Sequence, residues 1–178
     1  SYLNVFAFIF VLCIALMTII QGALTDLIDV DAAQYATIAM EMLQNESYLQ
    51  VFMRGNDYLD KPPLLFWLSS FSFWLFGFSN FAYKLPTVVF SILSLGYTYA
   101  LGKHLYGHRV GQLAVIILGT SIGFLWANND VKTDALMTSC IIISVYHLIR
   151  YLDDEAIWHL ILGSIGIGLG LLTKGPMG

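Results

Sequence analysis

Five predominantly apolar stretches of sixteen to twenty-three residues dominate the sequence and restrict what it can fold into. They lie at residues 2–24, 85–101, 110–127, 135–151 and 157–172. Because a helix needs roughly 20 apolar residues to cross a hydrocarbon core of about 30 Å, each stretch approaches the length of a membrane span. Charged residues make up 11% of the chain, whereas a soluble domain has about 25%. The sequence therefore predicts an all-α integral membrane protein with five spans.

One long loop, residues 25–84, separates the first two spans and carries most of the acidic residues. In its first part, residues 31–44, apolar side chains recur at helical spacing, which predicts an amphipathic helix on the membrane surface. Asp31 is followed three residues later by Gln34, a pattern that resembles a capping box, so Asp31 is a candidate N-cap of this helix.

A second helix is predicted in the last part of this loop, at residues 64–76. Pro62 and Pro63 precede it and Gly77 follows it, which is the usual punctuation of a helix. At thirteen residues it is short for a span, and its aromatic side chains are typical of the membrane interface. We therefore expect two interfacial helices within the long first loop.

Counting the crossings places several polar segments on one side of the membrane. The long loop, the turn at 128–134 and the end of the fifth span share a side, because two crossings separate each from the next. The charged residues on this side that could form a site are Asp29, Asp31, Asp60, Lys61, Asp130, Lys132, Asp134 and Lys174. The opposite side holds the short segments 103–109 and 150–155, so any polar site is expected on the first side.

The charge distribution gives an orientation of its own. Five of the eight lysines and arginines lie on the side with the polar residues, and the positive-inside rule would place that side in the cytoplasm. The net charge of −4 and the lack of a basic patch argue against a nucleic acid partner.

Three lysines on the polar side, Lys61, Lys132 and Lys174, suit a lipid-linked phosphate at the membrane surface. For Lys61 the alternative is that it snorkels or pairs with Asp60, and the two interpretations carry equal weight. Asp60 could also contribute to a divalent metal site, although one carboxylate does not define such a site.

Asp31 and Asp134 are candidate catalytic bases. Each stands at the start of a predicted helix, where capping is the simpler explanation for a single aspartate. The balance shifts toward chemistry because both carboxylates fall on the same side of the membrane as the three lysines.

Four motifs follow one another along the chain. They are Asp31-Ala32-Ala33-Gln34-Tyr35-Ala36, Tyr58-Leu59-Asp60-Lys61-Pro62-Pro63-Leu64, Thr133-Asp134-Ala135-Leu136 and Leu172-Thr173-Lys174-Gly175-Pro176. In this order they resemble the N-terminal part of the polyprenyl-phosphate-sugar-dependent glycosyltransferases, which include the protein O-mannosyltransferases and the lipid A aminoarabinose transferase. The resemblance covers essentially all of residues 1–178. It implies a GT-C membrane bundle, and we expect the chain to be the N-terminal part of one longer transmembrane domain.

The resemblance also implies roles for individual residues. Asp31 matches the catalytic aspartate, and Asp134 matches the second acidic position. The residues that match phosphate-binding or cavity-lining positions are Lys61, Lys174, Tyr35 and Tyr58. The reaction expected from these matches is direct, inverting transfer of a sugar from a polyprenyl phosphate to a lipid, glycan or protein acceptor. No cofactor is certain, and a divalent metal ion at Asp60 stays open.

The resemblance places the polar side outside, on the periplasmic face of a bacterial inner membrane, and so opposes the charge distribution. Two other classes fit the same residues. A transporter or flippase would bind a lipid phosphate without cleaving it, and a non-catalytic membrane subunit would use the same helices for packing alone. Few charges interrupt the apolar stretches, which disfavours a transporter with ionisable groups near the middle of the membrane.

Overall fold

The computed structural model describes residues 2–26, 29–129 and 131–175. In chain order the elements are α1 (Tyr2–Ala23), α2 (Val30–Gln44), β1 (Phe52–Met53), β2 (Asn56–Asp57), α3 (Leu64–Phe76), α4 (Asn80–Tyr106), α5 (His108–Thr120), α6 (Ile122–Asn129), α7 (Thr133–Asp154) and α8 (Ile157–Lys174). The chain is therefore almost entirely helical, as predicted, with one short hairpin that the sequence pattern did not predict as strands.

Three helices within the described ranges, α4, α7 and α8, are long and apolar enough to cross a membrane, and the bent pair of α5 and α6 would make a fourth span. The apolar part of α1 described here, Phe8–Ala23, is shorter. The helix α4 begins five residues before the predicted span at 85–101, so the preceding loop ends at residue 79. These lengths and compositions are those of an integral membrane protein.

The span predicted at 110–127 falls on α5 and α6, which meet at an angle of 54°. The break falls at Ser121, whose backbone is extended, with φ −69° and ψ 131°. The hydroxyl groups of Thr120 and Ser121 donate to the carbonyl oxygens of Ile116 and Leu118 at 2.7 and 2.9 Å. Side-chain donors of this kind compete with the helical hydrogen bonds and bend helices.

The predicted helix at 64–76 is present as α3 with the same bounds, and it ends at Gly77, which has a positive φ of 76°. It packs against α2 around a buried cluster that includes Ile38, Phe66 and Tyr83. Full burial of a side chain such as Ile38 or Phe66 stabilises the fold by about 1.5–3 kcal/mol. The α2–α3 pair is therefore held by its own core.

The N-cap of α2 is Asp29, whose carboxylate accepts a hydrogen bond from the backbone N–H of Asp31 at 3.1 Å. The predicted capping box at Asp31 and Gln34 is wrong, because Asp31 already lies in the first turn of the helix. Capping by Asp29 leaves the Asp31 carboxylate available for another role.

The hairpin β1–β2 immediately precedes residues 58–63, which we call the Lys61 segment. Its two-residue turn, Arg54-Gly55, has positive φ at both positions, 52° and 78°, which is the type I′ geometry that matches the twist of the strands. Glu41 on α2 accepts hydrogen bonds from the backbone N–H of Arg54 at 2.8 and 3.0 Å. The hairpin is thus fixed to α2 before the chain reaches Tyr58.

Lys84 lies inside α4 and is completely buried, although the sequence pattern assigned it to the loop. Its ammonium group donates to the carbonyl oxygen of Gly22 at 2.9 Å and to the hydroxyl of Thr25 at 3.2 Å. A cation is stabilised at the C-terminal end of a helix. Lys84 therefore joins α4 to the end of α1.

Glycines allow close approach at two helix pairs. Gly166 of α8 faces α7, where a Cβ would lie 3.2 Å from the carbonyl oxygen of Cys140. Gly111 of α5 faces α4, where a Cβ would lie 2.8 Å from the carbonyl oxygen of Tyr99 and 2.9 Å from the amide nitrogen of Lys103.

We predict that Gly111→Ala destabilises the protein by about 1–3 kcal/mol, because the added methyl group meets backbone atoms that cannot rotate away. Gly96→Ala is the matched control, since a Cβ at Gly96 meets nothing within 4 Å. Thermal unfolding of both variants in detergent gives the comparison. Equal midpoints would contradict the close contact between α4 and α5.

Candidate functional site

A cavity of about 150 Å³ lies where the first turns of α2 and α7 meet the Lys61 segment and the end of α8. We call it the charged cavity, because its lining includes Asp29, Asp31, Asp134, Lys61, Lys132 and Lys174. The predicted grouping of polar residues is confirmed for these six. Asp130, which was expected among them, lies outside the described residues, as does Pro176 of the fourth motif.

Two ion pairs occupy four of these charges. The ammonium nitrogen of Lys132 is 3.0 Å from a carboxylate oxygen of Asp29, and that of Lys174 donates to Asp134 at 2.5 Å. The hydrogen bond with Lys132, aided by the backbone N–H of Asp31, lowers the pKa of Asp29. Both lysines are thus partly neutralised before any ligand arrives.

The two remaining charges are those of Asp31 and Lys61. Across residues 2–26, 29–129 and 131–175, neither side chain forms a hydrogen bond or an ion pair. The alternative in which Lys61 pairs with Asp60 is therefore wrong. The charged cavity presents one carboxylate and one ammonium group that are both available to a ligand.

The rings of Tyr35 and Tyr58 both pack edge-on against that of Phe66, with centroids 5.8 Å apart in each case. Their side chains are only 7% and 8% exposed. Burial, together with nearby negative charge, raises the pKa of Tyr35, and burial raises the pKa of Tyr58 to about 12. Both hydroxyl groups therefore stay protonated at physiological pH, and their interaction with each other contributes to both pKa values.

A second and larger cavity, of about 500 Å³, borders the first. We call it the outer cavity, and it is lined by Tyr58, Asp60 and two exposed leucines, Leu49 and Leu59, among others. Lys61 and Lys174 line both cavities and so separate them.

Asp60 was predicted as a possible metal ligand. No three His, Cys, Asp or Glu side chains are grouped around a possible metal position in the part of the chain that the structure describes. Asp57 is the other carboxylate residue that lines the outer cavity with Asp60, and two such residues do not define a metal site, so a metal role for Asp60 stays a prediction.

Sequence reasoning missed two features of the site. The sequence pattern placed Asp29 on the correct side of the membrane but gave it no role. Asp29 and Asp31 are two positions apart and could each cap α2, and only the three-dimensional structure shows which of them does. Val131 has a positive φ of 51° and is completely buried beside the charged cavity. A valine in this conformation has no sequence signal, because β-branched residues strongly disfavour it.

The fold and site together define a helical membrane protein with a charged cavity at one end of its bundle. Residues 60–178 match the family described as dolichyl-phosphate-mannose-protein mannosyltransferase. The chain belongs to this family, and its resemblance to the N-terminal part of the polyprenyl-phosphate-sugar-dependent glycosyltransferases is confirmed.

Curated relatives include the undecaprenyl phosphate-alpha-4-amino-4-deoxy-L-arabinose arabinosyl transferases of two bacteria. The chain is 26% identical to that of Wigglesworthia glossinidia brevipalpis over 155 residues, which is 84% of this chain and 28% of the relative. It is 28% identical to that of Erwinia tasmaniensis over 177 residues, which is 96% of this chain and 32% of the relative. The chain therefore spans about a third or less of the length of these relatives.

A solved structure shows the same fold. ArnT from Cupriavidus metallidurans bound to undecaprenyl phosphate superimposes with a TM-score of 0.86 at 18% identity, over 95% of this chain and 32% of that one. The arrangement of helices in the chain is therefore that of the N-terminal third of a known membrane bundle.

We predict that the four lysines of this region differ in reactivity toward a brief pulse of acetic anhydride. Lys61 should be acetylated fastest, Lys132 and Lys174 more slowly because carboxylates hold their ammonium groups, and Lys84 slowest because it is completely buried. Mass spectrometry of the full-length protein measures the order. Asp134→Asn should accelerate Lys174 alone, and a Lys61 as slow as Lys84 would contradict its lack of a partner.

Proposed function

We propose that the full-length protein is a membrane glycosyltransferase that moves a sugar from a polyprenyl-phosphate donor to a lipid, glycan or protein acceptor, with inversion at the sugar. The observation that carries the proposal is that Asp31 and Lys61 line a cavity of about 150 Å³ without an ion-pair partner among the described residues, whereas the other four charged residues that line it form ion pairs. Family membership and the names of the bacterial relatives support the donor class.

In this reaction Asp31 accepts the proton of the acceptor hydroxyl as that oxygen forms a bond to the anomeric carbon. The bond between the anomeric carbon and the phosphate oxygen breaks in the same step, and its electrons stay on the phosphate. Lys61 stabilises the charge that develops there, because its ammonium group lines the cavity and is not engaged by a carboxylate among the described residues. A single displacement of this kind inverts the configuration.

The remaining site residues have supporting roles in the proposal. Lys174 lies against Asp134 and adds positive charge near the phosphate, while Asp134 positions the acceptor or the sugar. Tyr35 and Tyr58 donate hydrogen bonds to phosphate oxygens, since burial keeps both hydroxyl groups protonated.

We further propose five spans, with the pair α5–α6 as one bent span and α1 as the first. The helices α2 and α3 then lie at the membrane interface, where exposed aromatics of α3 such as Phe71 and Trp74 suit the headgroup region. The charged cavity faces the periplasm of a bacterial inner membrane. This orientation is the one that the family resemblance implies, and it opposes the positive-inside count.

Replacing the two unpaired residues gives different expected losses. Asp31→Asn should abolish transfer of radiolabelled sugar in membranes while donor binding persists, because the amide cannot accept the proton. Lys61→Met should raise the KM for the donor and lower kcat, with a combined loss of roughly a hundredfold or more in kcat/KM. A panel of polyprenyl-phosphate sugars identifies the donor at the same time.

The controls lie at the other end of the bundle, where Lys103→Met and Asp153→Asn make the same chemical changes far from the charged cavity and should leave transfer unchanged. Transfer that survives Asp31→Asn would exclude it as the base. Binding of the donor without transfer by the unaltered protein would indicate a flippase or a binding subunit instead.

A matched pair of cysteine variants tests the orientation. Leu49 beside the outer cavity is 94% exposed, and Leu152 near the opposite end of α7 is 78% exposed. In spheroplasts, a membrane-impermeant maleimide should label Leu49→Cys directly and Leu152→Cys only after permeabilisation. The reverse pattern would place the charged cavity in the cytoplasm, as the positive-inside count predicts.

A further inference from the structure

The charged cavity is assembled from segments that lie far apart in the chain. Asp31 belongs to the first turn of α2, whereas Asp134 belongs to the first turn of α7. These two helices do not pack side by side within the described part of the chain. Helix packing joins α2 to α7 indirectly, through α3 and α4, so a direct connection between their first turns has to come from the adjacent segments.

The turn between α6 and α7 provides this connection. We propose that Lys132, together with Asp29, is a positioning residue: their ion pair docks this turn on the start of α2 and so sets where Asp134 and Lys174 stand relative to Asp31. The proposal rests on the proposed glycosyl transfer, because positioning has meaning only for a site that reacts.

Val131 shows that the turn is held tightly. Its side chain is completely buried in the core cluster that contains Tyr35, Tyr58 and Phe66. Its positive φ of 51° is a conformation that a β-branched residue adopts only when the surrounding structure imposes it. The residue before Lys132 is thus inserted into the α2–α3 core at the expense of a favourable backbone conformation.

Lys132 itself is held from two sides. Its ammonium nitrogen lies 3.0 Å from a carboxylate oxygen of Asp29 and 4.1 Å from the centroid of the Trp126 ring on α6. Its backbone N–H donates to the carbonyl oxygen of Ala127 at 3.1 Å. The side chain therefore links α6 to the start of α2, with the first turn of α7 directly following.

Asp29 connects Lys132 to Asp31, the proposed base. The carboxylate that pairs with Lys132 also accepts the backbone N–H of Asp31, two residues further on. A shift of Lys132 would therefore move both Asp29 and the helical turn that carries Asp31. Since Lys132 also lines the charged cavity, the competing role is direct binding of the donor phosphate.

A double-mutant cycle on the full-length protein separates the two roles. Lys132→Met keeps the aliphatic chain against Trp126 but loses the charge, and Asp29→Asn keeps a good N-cap but loses the charge. Each variant should lower kcat by roughly tenfold or more with the donor KM unchanged, since small misplacements of reacting groups have effects of this size. The double variant should be no worse than either single variant, and Lys132→Arg should restore kcat.

Thermal unfolding midpoints of the same four proteins give a second cycle that does not depend on activity, and Lys103→Met is the control in both. Non-additive midpoints together with non-additive kcat values support the proposal. A donor KM that rises in Lys132→Met but not in Asp29→Asn would indicate that Lys132 binds the phosphate. Additive losses in kcat and in unfolding midpoint would show that Lys132 and Asp29 do not act as a pair. If the unaltered protein transfers no sugar, the proposed function falls, and the thermal cycle still reports whether the turn is docked.

Discussion

The site depends on one physical condition: of the six charged side chains that line the charged cavity, four form ion pairs and two do not. Three carboxylates and three lysines line one small cavity, so their formal charges cancel. Four of these charges form two ion pairs, in which the nitrogen–oxygen distances are 3.0 Å for Lys132 and Asp29 and 2.5 Å for Lys174 and Asp134. Asp31 and Lys61 line the same cavity, and among the described residues they form no ion pair with each other or with any other side chain. Ligand binding therefore meets one available base and one available cation, without the loss of an existing ion pair.

Much of this arrangement could be predicted because it follows from one-dimensional properties of the chain. The bounds of α3 are set by two prolines and a glycine, and each acts on the backbone locally. The grouping of Asp31, Lys61, Asp134 and Lys174 follows from counting crossings, which depends only on the lengths of apolar stretches. Neither inference needs any knowledge of which helices touch.

The features that could not be predicted depend on choices between similar neighbours or on tertiary packing. Asp29 and Asp31 are equally good caps by residue type, and the start of the helix decides between them. The bend at Ser121 occurs in a stretch whose hydropathy is continuous, because hydroxyl groups redirect hydrogen bonds without changing the apolar pattern. The conformation of Val131 is imposed by the core around it, and the burial of Lys84 requires the end of α1 as its partner.

The position of the two lysines between the cavities gives the proposed reaction a direction. Asp31 lines the charged cavity, Tyr58 lines the outer cavity, and Lys61 lines both. In-line displacement requires the attacking and leaving oxygens on opposite sides of the anomeric carbon. If the phosphate occupies the outer cavity against Lys61 and Tyr58, the sugar must extend past Lys61 toward Asp31. The acceptor hydroxyl then approaches the anomeric carbon from within the charged cavity, beside Asp31. Two adjoining cavities that share Lys61 thus give the leaving phosphate and the attacking hydroxyl separate places in the proposed reaction.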